Sequence, residues 1–360
     1  MRWDTLFLPA QNENLMKDVG LIPYFMMKEF GFDAYIVSFE TGKFTYLEKE
    51  VKGLQHIVVK NNGRLISSIK YIVKNAKKID VLNLYHWGRI TLICSKLYKA
   101  LNKKGKLYVK LDMDLNGLKV IKESKKDKKI LGKIIKTADL VTVESKRIHE
   151  ALMKIYGDEI KYLPNGFYFS NNELKLNKKK QILTVGRLGT KQKATEVLLN
   201  SFARIAEKIP EWNLVLVGSV EPSFDSFLCK YWEENNSLKK RVIFTGKITD
   251  KEQLNAYYSD SSVFALPSRW EGFALVLLEA MSSGCYIVST DGVSPIFDLI
   301  DSDKKGLISR VDDIDDFSEK LLLACNKNDM DPELIKTSVE KTYNWSVIVD
   351  RLNKYLFEGN

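Results

Sequence analysis

Short runs of Val, Ile and Leu alternate with longer segments whose apolar residues recur at helical spacing along most of the chain. In the first half, TLFLP (5–9), AYIVSF (34–39), DVLNLY (80–85), KLYVKLD (106–112) and LVTVES (140–145) predict strands. In the second half, QILTVG (181–186), NLVLVG (213–218), RVIFTG (241–246), SVFALP (262–267) and CYIVST (285–290) do the same. Several runs are apolar at nearly every position, the pattern of parallel strands covered by helices on both faces. Strand and helix alternating on this scale predict βαβ units, and the pattern occurs twice. The fold class expected is therefore α/β, with two doubly wound Rossmann-like domains. The polar stretch NGFYFSNNELKLNKKKQ (165–181) lacks apolar periodicity and marks a linker at about 168–180. It separates a domain over 1–168 from one over 176–344. The terminal NWSVIVDRLNKYLFEGN reads as one amphipathic helix with Trp345, Val349, Leu352 and Leu356 near helical spacing.

Composition narrows the class. A chain of 360 residues with 45% hydrophobic and 28% charged positions has the make-up of a folded globular protein. No run reaches the roughly 20 apolar residues of a membrane-spanning helix. The N-terminal apolar patch ends at Pro9 and reads as a first strand, not a secretory signal. Cys94, Cys229, Cys285 and Cys325 are far apart in sequence without CxxC spacing, which fits a reduced, cytoplasmic compartment better than a disulfide framework or zinc site. Three histidines in the whole chain make a His-rich metal centre a poor fit.

Charge is uneven. Residues 1–170 carry 31 Lys and Arg against 18 Asp and Glu, a net +13, whereas the remainder is net −3. An anionic partner for the first half is expected: a membrane surface or a phosphate-bearing substrate. No nucleic-acid-binding motif accompanies the excess, so nucleic acid is not expected. The segment LKVIKESKKDKKILGKIIK (118–136) interleaves lysines with apolar residues. As a basic amphipathic helix it suits either peripheral contact with anionic lipid or packing on its own domain.

Two stretches carry candidate chemistry. In VGRLGTKQKATEVLLNSF (185–202) a strand ends at Gly186 and a helix begins near Thr195, with Arg187 and Lys193 in the loop between. A guanidinium fork, a compact ammonium and a helix N-terminus together suit a diphosphate. Neither a Walker loop nor GxGxxG is present. In SRWEGFALVLLEAMSSG (268–284), Glu271 precedes a helix that begins near Ala274 or Leu275, and Glu279 lies about one turn inside it. Gly272 permits close backbone approach, so the amides of Phe273, Ala274 and Leu275 can face an anion or sugar hydroxyls. A carboxylate only accepts hydrogen bonds, so Glu279 in an apolar helix needs donors, and ribose hydroxyls would supply them.

These stretches, with LPNG (163–166), NLVLVG and IFTGKITDKEQLNAYYSDSSVFALPSRWEGFALVLLEAMSSG, make the sequence similar to family 4 glycosyltransferases over nearly all of 163–300. The first half resembles the family more loosely, through KDVGLIPYFM, DVLNLYHW and ADLVTVES. The resemblance implies a retaining hexosyltransferase of the GT-B fold, its two domains facing across a cleft and its C-terminal crossover helix (345–360) packing back on the first domain. It implies a nucleoside diphosphate sugar donor (UDP or GDP), a glycan or lipid-linked acceptor, and no cofactor. It implies that Arg187 and Lys193 hold the diphosphate, that Glu279 binds the ribose and that Glu271 lies by the transferred sugar. Gly186, Gly218 and Lys247 would border the nucleotide. Gly20 would approach the phosphates and acceptor, and His86 would stand beside the reacting sugar. Bacterial surface polysaccharide synthesis, such as capsule assembly at the inner face of the plasma membrane, is the setting expected.

The sequence departs from the family pattern at Ala194 and Ala274, where glycine is common, at DVG in place of a double-glycine turn, and at GVSP after STD. His86 sits one residue from the spacing the resemblance implies. Asp112-Met-Asp114 matches the Asp-x-Asp by which GT-A glycosyltransferases hold Mn²⁺ or Mg²⁺. It lies away from the half that carries Arg187, Lys193 and Glu279, and metal is not expected. A nucleotide-sugar epimerase and a non-catalytic glycosyltransferase-like binding subunit are the alternative readings.

Overall fold

The structure is a computed structural model that describes residues 1–167 and 174–358. Two compact units emerge, residues 1–166 with 343–360, and residues 167–342. Part of the expected linker, 168–173, lies outside the described residues, and its last two positions, 179 and 180, already belong to a strand.

In the first unit the elements run β1 (Arg2–Leu6), α1 (Asp18–Phe30), β2 (Asp33–Ser38), α2 (Tyr46–Lys49), β3 (Gln55–Val58), α3 (Arg64–Asn75), β4 (Val81–Tyr85), α4 (Arg89–Leu101) and β5 (Lys106–Lys110). They continue with α5 (Leu115–Glu123), α6 (Lys125–Ile135), β6 (Leu140–Val143), α7 (Lys146–Tyr156) and β7 (Lys161–Tyr162). The sheet is parallel, in the order β3-β2-β1-β4-β5-β6-β7. The chain therefore reverses its direction of travel between β1 and β4, and the loops leaving those strands diverge to open a crevice.

Neighbouring strand residues feed opposite faces. Leu82, Leu84, Leu107 and Val109 pack with Tyr71, Cys94, Tyr98 and Ile148 of α3, α4 and α7. Val81 and Tyr108 pack on the other face with Ile22 and Phe25 of α1 and with Trp345, Ile348 and Val349. β1 starts three residues before the predicted TLFLP because a charged residue is accommodated inside it. Asp4 is fully buried yet bonded by Arg2 (2.8 Å) and the Tyr71 hydroxyl (2.5 Å). A buried carboxylate so satisfied does not interrupt a strand.

Segment 118–136 is not one helix. Ser124 ends α5 and caps α6, accepting from the Asp127 amide at 3.2 Å. Leu118, Ile121, Leu131, Ile134 and Ile135 are all buried in the core. Most of the apolar side that lipid contact would need thus packs on the unit itself, while Val120 stays 42% exposed.

The second unit runs β8 (Lys179–Val185), α8 (Thr195–Ile205), β9 (Asn213–Val217), α9 (Asp225–Glu234), β10 (Val242–Gly246), α10 (Lys251–Asp260) and β11 (Ser261–Leu266). It continues with α11 (Leu275–Ser282), β12 (Tyr286–Thr290), α12 (Ile296–Leu299), β13 (Gly306–Ser309), α13 (Ile314–Cys325) and α14 (Pro332–Tyr343). Its parallel sheet has the order β10-β9-β8-β11-β12-β13, with the reversal between β8 and β11. The final helix, α15 (Trp345–Asn353), ends in a wider π-turn over Lys354–Glu358 instead of continuing as α-helix to the terminus. Its four predicted contacts, Trp345, Val349, Leu352 and Leu356, are all buried. No helix among the described residues is long and apolar enough to cross a membrane.

Trp345 is fully buried, and its ring lies so close to Gly166 that a Cβ there would fall 2.4 Å away. Trp345→Ala should destabilise the first unit by about 3–5 kcal/mol. Urea unfolding followed by tyrosine and tryptophan fluorescence checks this; a loss below about 1 kcal/mol would show that α15 contributes little to that core.

Candidate active site

The reversal between β8 and β11 sends the loops after these adjacent strands apart, and both lead into helices without a side-chain cap. α8 begins after Ala194 and α11 after Ala274, and neither cap side chain accepts a first-turn amide. Among the described residues only the Val197 and Leu277 amides are taken, by the Ala194 and Ala274 carbonyls at 2.9 Å. The amides that begin each helix ahead of these are left for another partner. Both alanines adopt the left-handed region, with φ of 46° and 54°. These are the two positions where the family pattern favours glycine, and the backbone explains why: an L side chain is strained there.

The phosphate-loop and signature residues meet at this edge. Lys193 Nζ pairs with Glu271 Oε1 at 2.6 Å, and both side chains are mostly buried. Ser268 Oγ donates to the same oxygen at 2.8 Å, and Gln192 Nε2 donates to Oε2 at 3.2 Å. Arg187 reaches the other end of Gln192, donating to its Oε1 at 3.4 Å. Arg187, Gln192, Glu271 and Lys193 thus form one hydrogen-bonded chain in which two cations face one acid.

Arg269 fastens the two loops together. It donates to the Lys191 carbonyl, to Glu196 Oε1 and to Asp312 Oδ1, each at 2.6 Å, while its amide bonds the Gln192 carbonyl at 2.8 Å. Burial lowers the Arg269 guanidinium's hold on its proton, but Glu196 and Asp312 outweigh that and keep its pKa above the ordinary value.

Glu279 stands apart from this chain. Its Oε2 accepts from the Tyr258 hydroxyl at 2.6 Å, and no hydrogen bond or ion pair joins it to Arg187 or Lys193. Burial raises the Glu279 carboxyl, opposed by the Tyr258 bond and Lys251. The glycines behind the loops are steric. A Cβ on Gly218, at φ 146°, would lie 1.7 Å from the Gly186 carbonyl oxygen, and one on Gly186 would press on Lys193 at 3.2 Å. Phe273 is buried, Gly272 is half-buried, Leu275 opens α11, and Lys247 is exposed just beyond β10.

In the first unit, Gly20 lies inside α1 instead of in an open turn. A Cβ there would meet the Leu15 backbone at 2.4 Å, so the glycine serves close packing. His86 and Asp112 end β4 and β5 with φ of 60° and 44°. His86 Nδ1 lies 3.8 Å from Asp112 Oδ2, and its amide donates to the Lys110 carbonyl at 2.8 Å. Beneath them Lys110 is fully buried, bonded to Glu144 and 3.5 Å from Asp18. Glu144 also accepts the amides of Asp112 (3.0 Å) and Met113 (3.3 Å). Burial raises the Asp18 carboxyl, with Lys110 acting the other way. The Asp-x-Asp pair is divided between two tasks, because Asp114 caps α5 by accepting from the Gly117 amide at 2.8 Å. No cluster of three or more His, Cys, Asp or Glu among the described residues is arranged to hold a metal ion.

Sequence reasoning missed Gln192, Ser268, Arg269, Tyr258, Lys110 and Glu144. A glutamine between two lysines in GTKQK was the one local signal, since an amide can serve a cation and an acid together.

Comparison with known proteins places these features. Residues 169–341 match the family model described as "Glycosyl transferases group 1". An uncharacterized glycosyltransferase of Haemophilus influenzae is 31% identical over 179 residues, covering 50% of this chain and 47% of that protein. The chain thus spans about half the length of this curated relative. Among solved structures, the lipopolysaccharide outer core galactosyltransferase WaaB superposes with a TM-score of 0.76 at 18% identity, over 100% of both chains. HepE of Anabaena, solved in complex with UDP, gives 0.75 at 16% identity, over 98% of this chain and 99% of its own. The fold is that of these proteins: two parallel α/β units of the GT-B type.

Replacing Ala194 or Ala274 by Gly should relieve left-handed strain, less the entropy glycine adds to the unfolded chain. The expected gain is about 0.5–1 kcal/mol each. Denaturant midpoints of the two variants measure it, and an unchanged or lowered midpoint would contradict the strain account.

Proposed function

We propose that this chain, whose residues 169–341 match the family model of the glycosyl transferases of group 1, moves a hexosyl unit from a nucleoside diphosphate sugar to a glycan or lipid-linked saccharide acceptor. We take the transfer to retain anomeric configuration and to need no metal ion. The observation that carries this reading is the Arg187–Gln192–Glu271–Lys193 chain at the strand ends that lead into the uncapped α8 and α11.

Two cations against one acid leave positive charge at this edge, and first-turn amides add partial charge of the same sign. A diphosphate would take charge-assisted bonds from Arg187 and Lys193. Binding then exchanges the Lys193–Glu271 contact for Lys193–phosphate and releases a Glu271 oxygen toward a sugar hydroxyl. As the bond from the anomeric carbon to the β-phosphate oxygen breaks, negative charge grows where these donors already point, which lowers the barrier. The acceptor oxygen bonds the oxocarbenium-like anomeric carbon on the face the leaving group vacates, and its proton passes to the departing β-phosphate oxygen. Tyr258 occupies one oxygen of Glu279, leaving the other for a ribose hydroxyl. The UDP complex of HepE supports a uridine nucleotide, and the name of WaaB supports a surface-polysaccharide acceptor.

Arg187→Ala and Lys193→Ala should each lower turnover at least tenfold, about 1.4 kcal/mol of transition-state stabilisation. Nucleotide release from UDP- and GDP-sugars measures it; wild-type rates in both variants would remove the assignment. In the same assay EDTA should leave most activity intact. Complete loss restored by Mn²⁺ would instead require a metal and reopen the part played by Asp112.

A further inference from the structure

The reversal between β1 and β4 in the first unit opens a pocket of about 450 Å³, bordered by the ends of both strands and by the first turns of α3 and α4. Its wall is largely apolar, including Phe7, Leu8, Trp87, Ile90 and Cys94. Arg64 and Arg89 also line it. They are the first residues of α3 and α4, where an acid would complement the helix dipole and a cation does not. Neither guanidinium has an ion pair or hydrogen bond with another side chain among the described residues. Both arginines are solvent-exposed, and beside an apolar hollow they suit a ligand with an anionic oxygen cluster joined to apolar substance.

The pocket wall continues outward. Ile90 begins a series with Ile93, Leu97 and Leu101, spaced i, i+3, i+7 and i+11 along one flank of α4. Ile90, Ile93 and Leu101 are 39%, 41% and 37% exposed, Leu97 between them is half-buried against the core, and Ile66 on α3, which packs against α4, is 51% exposed. Single exposed apolar residues need no explanation, but a stripe that starts inside a cationic pocket and runs the length of a helix, about 20 Å, is a track.

We propose that this pocket binds the phosphate of an amphiphilic acceptor, a saccharide carried on a lipid phosphate. Arg64 and Arg89 grip the phosphate, and the first segment of the lipid chain lies from Ile90 along α4. The inference rests on the transferase reading and names its acceptor class, lipid phosphate over a free glycan.

The probe is farnesyl monophosphate below its micelle threshold, compared with glucose 1-phosphate and inorganic phosphate by calorimetric titration of the full chain. Farnesyl monophosphate should bind at least tenfold more tightly than either. The Arg64→Gln/Arg89→Gln double variant should lose at least tenfold of that affinity, and Ile90→Ser/Ile93→Ser several-fold, with melting temperatures held. Thermal stabilisation by UDP or GDP should be the same in all three proteins. No farnesyl phosphate binding, equal affinity for glucose 1-phosphate, or undiminished binding in the arginine variant would each overturn the proposal. Nucleotides that fail to stabilise any of the proteins would count against the donor reading alone, because the lipid-phosphate titration does not use the second unit's loops.

Discussion

In a parallel sheet wound with helices, every helix N-terminus lies at the edge where the strands end. That edge therefore collects unpaired backbone N–H groups, and a protein must cap them or use them. Asp114, Ser124, Ser145, Asp250 and Asp313 each accept a first-turn amide, whereas α1, α3, α4, α8, α9 and α11 have no side-chain cap. At α8 and α11 the cap position is in addition a strained, left-handed alanine. The loops before these helices carry Arg187, Lys193 and Glu271. Charge, open donors and strain coincide at the strand-order reversal of the second unit.

Buried charge is the second recurring device. Lys110 is fully enclosed with Glu144 and Asp18, an arrangement that costs desolvation and seldom stabilises more than a well-packed apolar substitute would. Its use here is geometric. Glu144 takes two amides of the turn after β5 and so holds Asp112 in a left-handed conformation, facing His86. The Tyr85 hydroxyl is buried without a hydrogen-bond partner, and Asp18 Oδ2 has only its 3.5 Å ion pair with Lys110, a further cost in the first unit. Costs of this kind persist where a fixed arrangement of polar groups matters more than maximal stability.

The proposed reaction divides accordingly. The second unit offers cations, amides and a phenol-braced carboxylate suited to a nucleotide sugar. The first offers a largely apolar pocket lined in part by Arg64 and Arg89, suited to a different anion. Both sites form at strand-order reversals, but their linings differ, polar and charged in one and apolar in the other.

The ten strands predicted from apolar runs are all present, because a strand buried on both faces must be apolar at successive positions, and that shows in one sequence. Three short strands went unseen: β3 and β7 at the edges of the first sheet, and β13 at one edge of the second. An edge strand is half-solvated and brief, so QHIV, KY and GLIS carry no run to detect. Arg187, Lys193 and Glu271 were legible because loop position and chemistry are local, whereas the left-handed backbone at Ala194 and Ala274 shows only in the structure. The partners were not. That Glu271 meets Lys193 across 78 residues, that Tyr258 takes Glu279, and that Asp114 turns to its own helix while Asp112 turns to His86 depends on which strand ends adjoin. Sequence determined the elements and their candidate chemistry, since periodicity and loop composition act over a few residues. Tertiary structure alone decided the pairings, since hydrogen bonds and ion pairs form only where folding brings distant side chains within about 3 Å.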